Sequence, residues 1–64
     1  MKNKIRELRT ELGLRQEDLA REVGVTRQTI NAIENDKYNP TLVLAMKLAQ
    51  LLKTPVEELF QLDD

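Results

Sequence analysis

A chain of 64 residues with a net charge of −1 is one small domain, and its charge argues against strong non-specific attraction to nucleic acid. It contains no Cys, no His and no Ser, so it lacks disulfide bonds, the usual sulfur and nitrogen metal ligands and the commonest catalytic groups. The N-terminus is too polar for a signal peptide and no apolar run approaches the roughly 20 residues that span a bilayer, so we expect a cytoplasmic protein that is not an enzyme and needs no cofactor or metal.

The first two predicted helices are each followed by a glycine. A helix is expected over about residues 2–12, where apolar residues recur at helical spacing: Ile5, Leu8 and Leu12. Gly13 ends this helix. The second helix is expected from Gln16 to Val23, and Gly24 can take the positive φ that ends a helix and begins a turn.

A third helix follows this turn closely. Thr26 is a suitable N-cap because its hydroxyl can accept a hydrogen bond from a free backbone N–H. Ile30 and Ile33 give the helix an inward apolar side, and Ala20 leaves room for it to cross the second helix. The third helix is expected to end near Asn35.

Two further helices are expected after a loop over residues 35–40. Thr41 can cap the fourth, whose predicted inward stripe consists of Leu42, Ala45, Leu48, Ala49 and Leu52. The segment 54–57 combines a capping box with Pro55 at the first helical position. The apolar residues of the short fifth helix are Val56, Leu59 and Phe60. No strand is predicted, so the fold class is all-α, a compact five-helix domain over residues 1–64.

The segment from Gln16 to Pro40 predicts a helix-turn-helix, in which the second helix of the pair is presented outward. The commonest use of this geometry is to read the DNA major groove. Residues 27, 28 and 31 share the exposed side of the third helix, and their side chains suit base edges: Arg27 for guanine, Gln28 and Asn31 for adenine. The alternative is that they form an ordinary solvated helix face.

Charge is distributed unevenly along the chain. Residues 1–37 carry eight basic and seven acidic side chains, whereas residues 38–64 carry two basic and four acidic ones. The acidic excess therefore lies away from the predicted DNA-reading helix.

Taken together, these segments resemble the lambda-repressor-like helix-turn-helix regulators, the Cro/CI-type or XRE family. The resemblance is carried by IRELRTELGLRQEDLAREVGVTRQTINAIENDKYNP followed by TLVLAMKLAQLLKTPVEELF, which is nearly the whole chain. It implies a five-helix domain that binds operator DNA as a two-fold dimer, most often to repress transcription.

The resemblance also implies roles for individual residues. Gln16 is similar to the family's helix-two glutamine, which contacts a phosphate and braces the recognition helix, and Arg15 is grouped with it. Asn35 and Lys37 match the loop that holds the DNA backbone. Asp36 departs from the pattern, because the family often has Gly there. The base-facing positions are Arg27, Gln28, Thr29 and Asn31.

Arg9 and Glu34 have two interpretations. Each, taken alone, is an ordinary surface charge. The resemblance implies instead a partly buried ion pair that ties the first helix to the end of the third.

The fourth helix has more apolar surface than one core stripe requires. Val43, Leu44 and Leu51 lie outside the predicted stripe, and Lys47 lies between the last two. The domain itself could cover both sides of this helix. We favour a homodimer interface here, extended by Phe60 and Leu62, because so short a chain has little else to cover that face.

Three functions from different classes follow. The first is a homodimeric repressor that binds a pseudo-palindromic double-stranded DNA operator. The second is an antitoxin or other protein-binding module in which a protein partner matters more than DNA. The third, an enzyme, has little support because no nucleophile–base pair accompanies carboxylates such as Glu57 and Glu58.

Overall fold

Five helices and one pair of very short strands form the fold in the computed structural model, which describes residues 1–63. Asp64 lies outside the described residues. The strands pair antiparallel, with Lys2 opposite Gln61 and Asn3 opposite Phe60. In chain order the elements are β1 (Lys2–Asn3), α1 (Ile5–Glu11), α2 (Gln16–Val23), α3 (Arg27–Glu34), α4 (Leu42–Leu51), α5 (Val56–Leu59) and β2 (Phe60–Gln61).

The prediction of an all-α fold without strands is wrong at the two ends of the chain. The first helix begins at Ile5 rather than near residue 2, because Asn3 Oδ1 accepts a hydrogen bond from the Ile5 backbone N–H at 3.1 Å. The Asn3 side chain also donates to the Ile33 carbonyl at 2.7 Å, and the Lys4 N–H donates to the Leu59 carbonyl at 3.0 Å. The Asn3 contact joins β1 to α3. The Lys4 contact holds β1 beside β2, so Phe60 lies in a strand instead of the fifth helix.

A single apolar core lies between the helices. Its fully buried members come from α1, α2, α3, α4 and α5, so every helix contributes at least one side chain. Ala20, which is 3% exposed, lies on α2 beside α3, where a small side chain allows the two helices to approach closely. The fully buried large side chains are Ile5, Leu19, Ile30, Ile33, Leu48 and Leu59.

The predicted helix starts are confirmed at two threonines. The Thr26 hydroxyl accepts from the Thr29 N–H at 3.3 Å, and the Thr41 hydroxyl accepts from the Leu44 N–H at 3.2 Å. The capping box predicted at Thr54 is wrong, since its hydroxyl instead donates to the Leu52 carbonyl at 3.0 Å. That contact satisfies a free carbonyl at the end of α4, and Pro55 becomes the N-cap of α5.

Two apolar residues assigned to inward faces are exposed. Leu12 is 56% exposed because α1 ends at Glu11 and Leu12 lies in its C-terminal cap. Leu42 is 70% exposed, while Leu44 is only 8% exposed. The core-facing side of α4 is therefore Leu44, Ala45, Leu48 and Ala49, and the predicted position of Leu44 outside this stripe is wrong.

Residues with a positive φ, the left-handed backbone conformation, follow several helices of this fold. Gly24 has a φ of 77°, as predicted, and the Val25 N–H donates to the Ala20 carbonyl at 3.0 Å. Asp36 and Lys53 have φ values of 61° and 54° at the second residue after α3 and α4, the position that Gly13 takes after α1 with a φ of 73°. Both therefore carry strain that glycine would avoid. Within residues 1–63, no helix is long and apolar enough to cross a bilayer.

Replacement of Lys53 by glycine tests this strain. A left-handed L-residue costs roughly 1–2 kcal/mol and glycine loses about 0.5–1 kcal/mol of chain entropy, so we expect Lys53→Gly to raise the free energy of unfolding by about 0.5–1 kcal/mol. Urea denaturation measures the change. The matched control is Lys47→Gly in the middle of α4, which should lower the free energy of unfolding by about 1 kcal/mol. Equal destabilisation by both substitutions would contradict the strain at Lys53.

Candidate nucleic-acid interface

The outward side of α3 faces an open groove. Ile30 and Ile33 turn inward and are 0% and 1% exposed, which leaves the opposite side of this helix to solvent. The groove has a volume of about 390 Å³ and is lined by Gln16, Arg27, Gln28 and Asn31. Four of the predicted DNA-contacting residues therefore meet at one place, contributed by α2 and α3.

Arg27 and Gln28 are the uncommitted side chains of this groove. Both are exposed, and within residues 1–63 neither makes a side-chain hydrogen bond or an ion pair. A guanidinium and a carboxamide at the start of a helix can each form two hydrogen bonds to a base edge. This part of the groove needs no internal contact to be broken before a partner binds.

Thr29 lies apart from that groove. Its hydroxyl pairs with the Thr26 hydroxyl at 3.1 Å, and its side chain borders a different cleft with Val25 and Tyr38. The structure therefore does not bring Thr29 together with the other predicted base-reading residues.

Three amide side chains form a chain of hydrogen bonds along the groove. Asn31 donates to Gln16 Oε1 at 3.4 Å, and Asn35 donates to Asn31 Oδ1 at 3.0 Å. Asn35 Oδ1 in turn accepts from Arg6 Nη2 at 3.0 Å. The predicted reader Asn31 is thus held by its neighbours, in contrast to Gln28.

The carboxylate of Glu34 is the centre of these contacts. Arg9 donates to both of its oxygens, at 2.7 and 3.1 Å, and the side chains of Arg9 and Glu34 are 11% and 0% exposed. Gln16 Nε2 donates at 3.0 Å and Arg6 Nε at 3.3 Å. Arg9 also donates to the Leu14 carbonyl at 2.9 Å, so it connects α1, the following turn and α3.

Two opposing effects set the pKa of Glu34. Burial raises it, because a carboxylate loses solvation when it is removed from water. Hydrogen bonds from Arg9 and Gln16, with the positive charge of Arg9, outweigh burial, and the pKa lies below its ordinary value. Glu34 is therefore charged at neutral pH.

Arg15 and Lys37 occupy the two margins of the interface. Arg15 is highly exposed, but its guanidinium pairs with Glu17 at 3.2 Å and Asp18 at 3.3 Å. The backbone N–H of Arg15 and then its side chain hold the pKa of Asp18 below its ordinary value. Lys37 is exposed, and Asp36 beside it accepts a hydrogen bond from Asn3 at 3.3 Å.

Arg6 and Asn3 belong to these contacts but were not predicted as site residues. Arg6 precedes Arg9 by three residues on α1, and this i, i+3 spacing was the available sign that both could reach the same acceptor. Asn3 gave no comparable sign, since its partners Ile33 and Asp36 lie far away in the chain.

The residues predicted to form a dimer interface fall into two groups. Val43 and Leu62 are 63% and 80% exposed, Lys47 is exposed, and Leu51 is half-buried. Leu44 and Phe60 are only 8% and 7% exposed. The assignment of these two residues to a surface is wrong, because both pack in the domain's own core.

Residues 5–59 match the model of a protein family described as helix-turn-helix. The chain is 52% identical over 65 residues to an uncharacterized HTH-type transcriptional regulator of Methanothermobacter thermautotrophicus, covering all of this chain and 94% of that protein. It is 40% identical over 57 residues to the cryptic phage CTXphi transcriptional repressor RstR of Vibrio cholerae, covering 89% of this chain and 51% of RstR.

A solved structure is also similar. The restriction-modification controller protein C.AhdI from Aeromonas hydrophila superposes with a TM-score of 0.80 at 42% sequence identity, covering 89% of this chain and 86% of that one.

Among residues 1–63, no group of three or more His, Cys, Asp or Glu side chains is arranged to hold a metal ion.

Substitution of Glu34 by glutamine tests the charge at the centre of the network. Because the pKa of Glu34 is lower in the folded chain than the value of about 4.3 expected when unfolded, its charge stabilises the fold above that value. This stabilisation is lost as the pH falls through the folded pKa. We expect Glu34→Gln to lower the free energy of unfolding by about 3 kcal/mol at pH 7 and by clearly less at pH 3.

Chemical denaturation at pH 7, 5 and 3 measures this difference. Glu22→Gln is the matched control, since Glu22 is exposed on α2 and forms no ion pair within the described chain. A difference between wild type and Glu34→Gln that stays constant across this pH range would contradict a stabilising charge at Glu34.

Proposed function

The chain belongs to the lambda-repressor-like, Cro/CI-type (XRE) helix-turn-helix family of DNA-binding transcription regulators, and from this membership we propose that it is a sequence-specific repressor. In this proposal it binds a pseudo-palindromic operator as a homodimer, with α3 of each copy in the major groove. The related phage protein is itself named a transcriptional repressor, which supports repression as the outcome.

The observation that carries the proposal is the groove beside α3. An α-helix with its side chains is about 10–12 Å across, which suits a major groove about 12 Å wide. The exposed side of α3 offers a guanidinium and two carboxamides, the groups that recognise guanine and adenine edges. No core residue lies on that side, so α3 can enter the DNA major groove without loss of packing in the domain.

The proposed contacts divide into two kinds. Arg27, Gln28 and Asn31 read bases, each good two-bond contact contributing about 1–3 kcal/mol of discrimination. Thr29 is left out of this set, because it borders a different cleft and its hydroxyl pairs with Thr26. The phosphate contacts come from the start of α2 and from the loop after α3, where the residues are Arg15, Gln16, Asn35 and Lys37. Arg15 must leave its carboxylate partners to take part, and this lowers its contribution.

The size of the domain means that a two-fold operator requires two copies. Its longest dimension is 31 Å, whereas successive major grooves on one side of DNA are about 34 Å apart. One copy therefore cannot read two half-sites. An apolar patch on α4 can join two copies; it consists of Leu42, Val43 and Met46, which are 70%, 63% and 49% exposed. Lys47, Leu51 and Leu62 complete the proposed interface.

Selection of duplexes from a random pool tests DNA reading. We expect the wild type to enrich a two-fold symmetric site. Gln28→Ala should bind the same site but lose its preference at one base pair in each half, by about 5- to 150-fold, because a two-bond contact is removed.

Gln50→Ala is the matched control, because it removes an exposed glutamine from α4, outside the groove. It should leave the selected site unchanged. Enrichment of no sequence by the wild type, or an undiminished preference at every base pair in Gln28→Ala, would refute the assignment of base reading to Gln28.

Substitution of Val43 by glutamate tests the dimer. Val43 lies in the first turn of α4, where a negative charge suits the helix dipole, so Val43→Glu should fold normally. A buried charge at a two-fold interface meets its own copy, and we expect dissociation to a monomer and at least tenfold weaker operator binding.

Sedimentation velocity and circular dichroism measure assembly and folding. Leu12→Glu provides the control, since Leu12 is also an exposed aliphatic residue but follows α1 and lies outside the α4 patch. The α4 interface would be wrong if Val43→Glu sedimented like the wild type, or if the wild type were a monomer.

A further inference from the structure

Five side chains at the groove form a closed ring of hydrogen bonds. Starting at helix α1, Arg6 donates to Asn35 at 3.0 Å, Asn35 donates to Asn31 at 3.0 Å, and Asn31 donates to Gln16 at 3.4 Å. Gln16 then donates to Glu34 at 3.0 Å, and Arg6 Nε donates to the same carboxylate oxygen at 3.3 Å. Three helices, α1, α2 and α3, contribute to the ring.

The two charged members give this ring a direction. A guanidinium can only donate and a carboxylate can only accept, whereas an amide does both. Every amide between them therefore turns its carbonyl toward Arg6 and its NH₂ group toward Glu34. Reversal of any one amide would place two donors or two acceptors against each other.

The orientation of Asn31 matters because an amide reads a base through the positions of its oxygen and its nitrogen. Adenine offers a donor and an acceptor in the major groove, and a reversed amide no longer matches that order. The terminal torsion of asparagine is broad, so position on α3 alone does not fix the orientation. Hydrogen bonds from the neighbouring amides fix it instead.

Arg6 is the one member of the ring that can be removed with little expected effect on the core. Its side chain is 56% exposed, and Glu34 keeps its contacts with Arg9 and Gln16 when Arg6 is absent. Loss of Arg6 would leave the Asn35 oxygen without its donor. The Asn35 NH₂ group would still be held by the Asn31 backbone carbonyl at 2.9 Å, and Glu34 would still direct the amides through Gln16, so Arg6 supplies the second fixed end of this row of amides.

We propose that Arg6, although it lies on α1 and outside the reading helix, is a positioning residue that sets base preference at Asn31 through Asn35. The proposal rests on the proposed function, because it assigns Arg6 a part in operator recognition. Arg6 touches no base in this account. It acts by holding the Asn35 oxygen, so that the row of amides is fixed at both ends, at Arg6 and at Glu34.

The test compares Arg6→Ala with Arg21→Ala in duplex selection and affinity measurements. Both variants lose one exposed arginine, but Arg21 is paired only with Asp18, at 3.8 Å, and lies outside the ring. Asn31→Ala identifies the base pair that Asn31 reads. We expect Arg6→Ala to relax preference at that same base pair by threefold or more. The double variant, Arg6→Ala plus Asn31→Ala, should show no more relaxation there than Asn31→Ala alone. Arg21→Ala should leave this preference unchanged.

Lysine at position 6 supplies a conservative comparison. Its single ammonium lacks the planar fork that reaches Asn35 and Glu34 together, so Arg6→Lys should restore the base preference only in part. Full restoration by lysine would overturn the proposal, because charge alone would then be sufficient. An affinity loss in Arg6→Ala that is equal for all sequences would overturn it as well.

A measurement without DNA separates this inference from the proposed function. In nitrogen-edited NMR spectra, the side-chain NH₂ signals of Asn31 and Asn35 should move toward free-amide positions in Arg6→Ala and stay in place in Arg21→Ala. Unmoved signals in Arg6→Ala overturn the ring even if DNA binding is specific. Wild-type protein that binds all duplexes equally refutes the proposed function, and the base-preference role of Arg6 falls with it.

Discussion

The carboxylate of Glu34 is the constraint on which the arrangement of the helices depends. It is the last residue of α3, where the helix dipole is negative, and its side chain is 0% exposed. A charge in that position is unfavourable in two ways, through lost solvation and through the dipole. Arg9 and Gln16 compensate for both, so α3 is fixed relative to α1 and α2 by directional hydrogen bonds. Apolar packing of Ile30 and Ile33 alone would not specify how α3 is placed relative to α1 and α2, because the hydrophobic effect is non-directional.

Some side chains that stabilise the fold therefore also line the groove beside α3. Gln16 lines the groove with one part of its amide and donates to Glu34 with another. Asn31 and Asn35 extend the same network along the outer side of α3. A substitution at these amides therefore alters both the fold and the groove, whereas one at Arg27 or Gln28 alters the groove alone. This division separates the residues that shape the surface from those free to contact a partner.

The parts of the fold that could be predicted are those with local causes. Gly24, Thr26 and Thr41 have caps determined by their own chemistry and by residues three to five positions away. The β1–β2 pair was missed because strands of two residues show no alternation and their partners come from opposite ends of the chain. The rotation of α4, which buries Leu44 and exposes Leu42, was missed since an almost wholly apolar helix has no distinct inner face.

The same distinction applies to the candidate site. Position on α3 was enough to place Arg27 and Gln28 in one groove with Gln16, because helical periodicity decides which side chains face outward. Periodicity did not reveal that Thr29 is engaged by Thr26, nor that Arg6 reaches Asn35. The net charge is −1 and Arg15 is already paired with acidic neighbours, so the candidate interface has few unpaired basic side chains that could displace counterions from DNA. Attraction to phosphates is then weak, so the proposed function depends on base contacts from Arg27, Gln28 and Asn31 and on the proposed dimer.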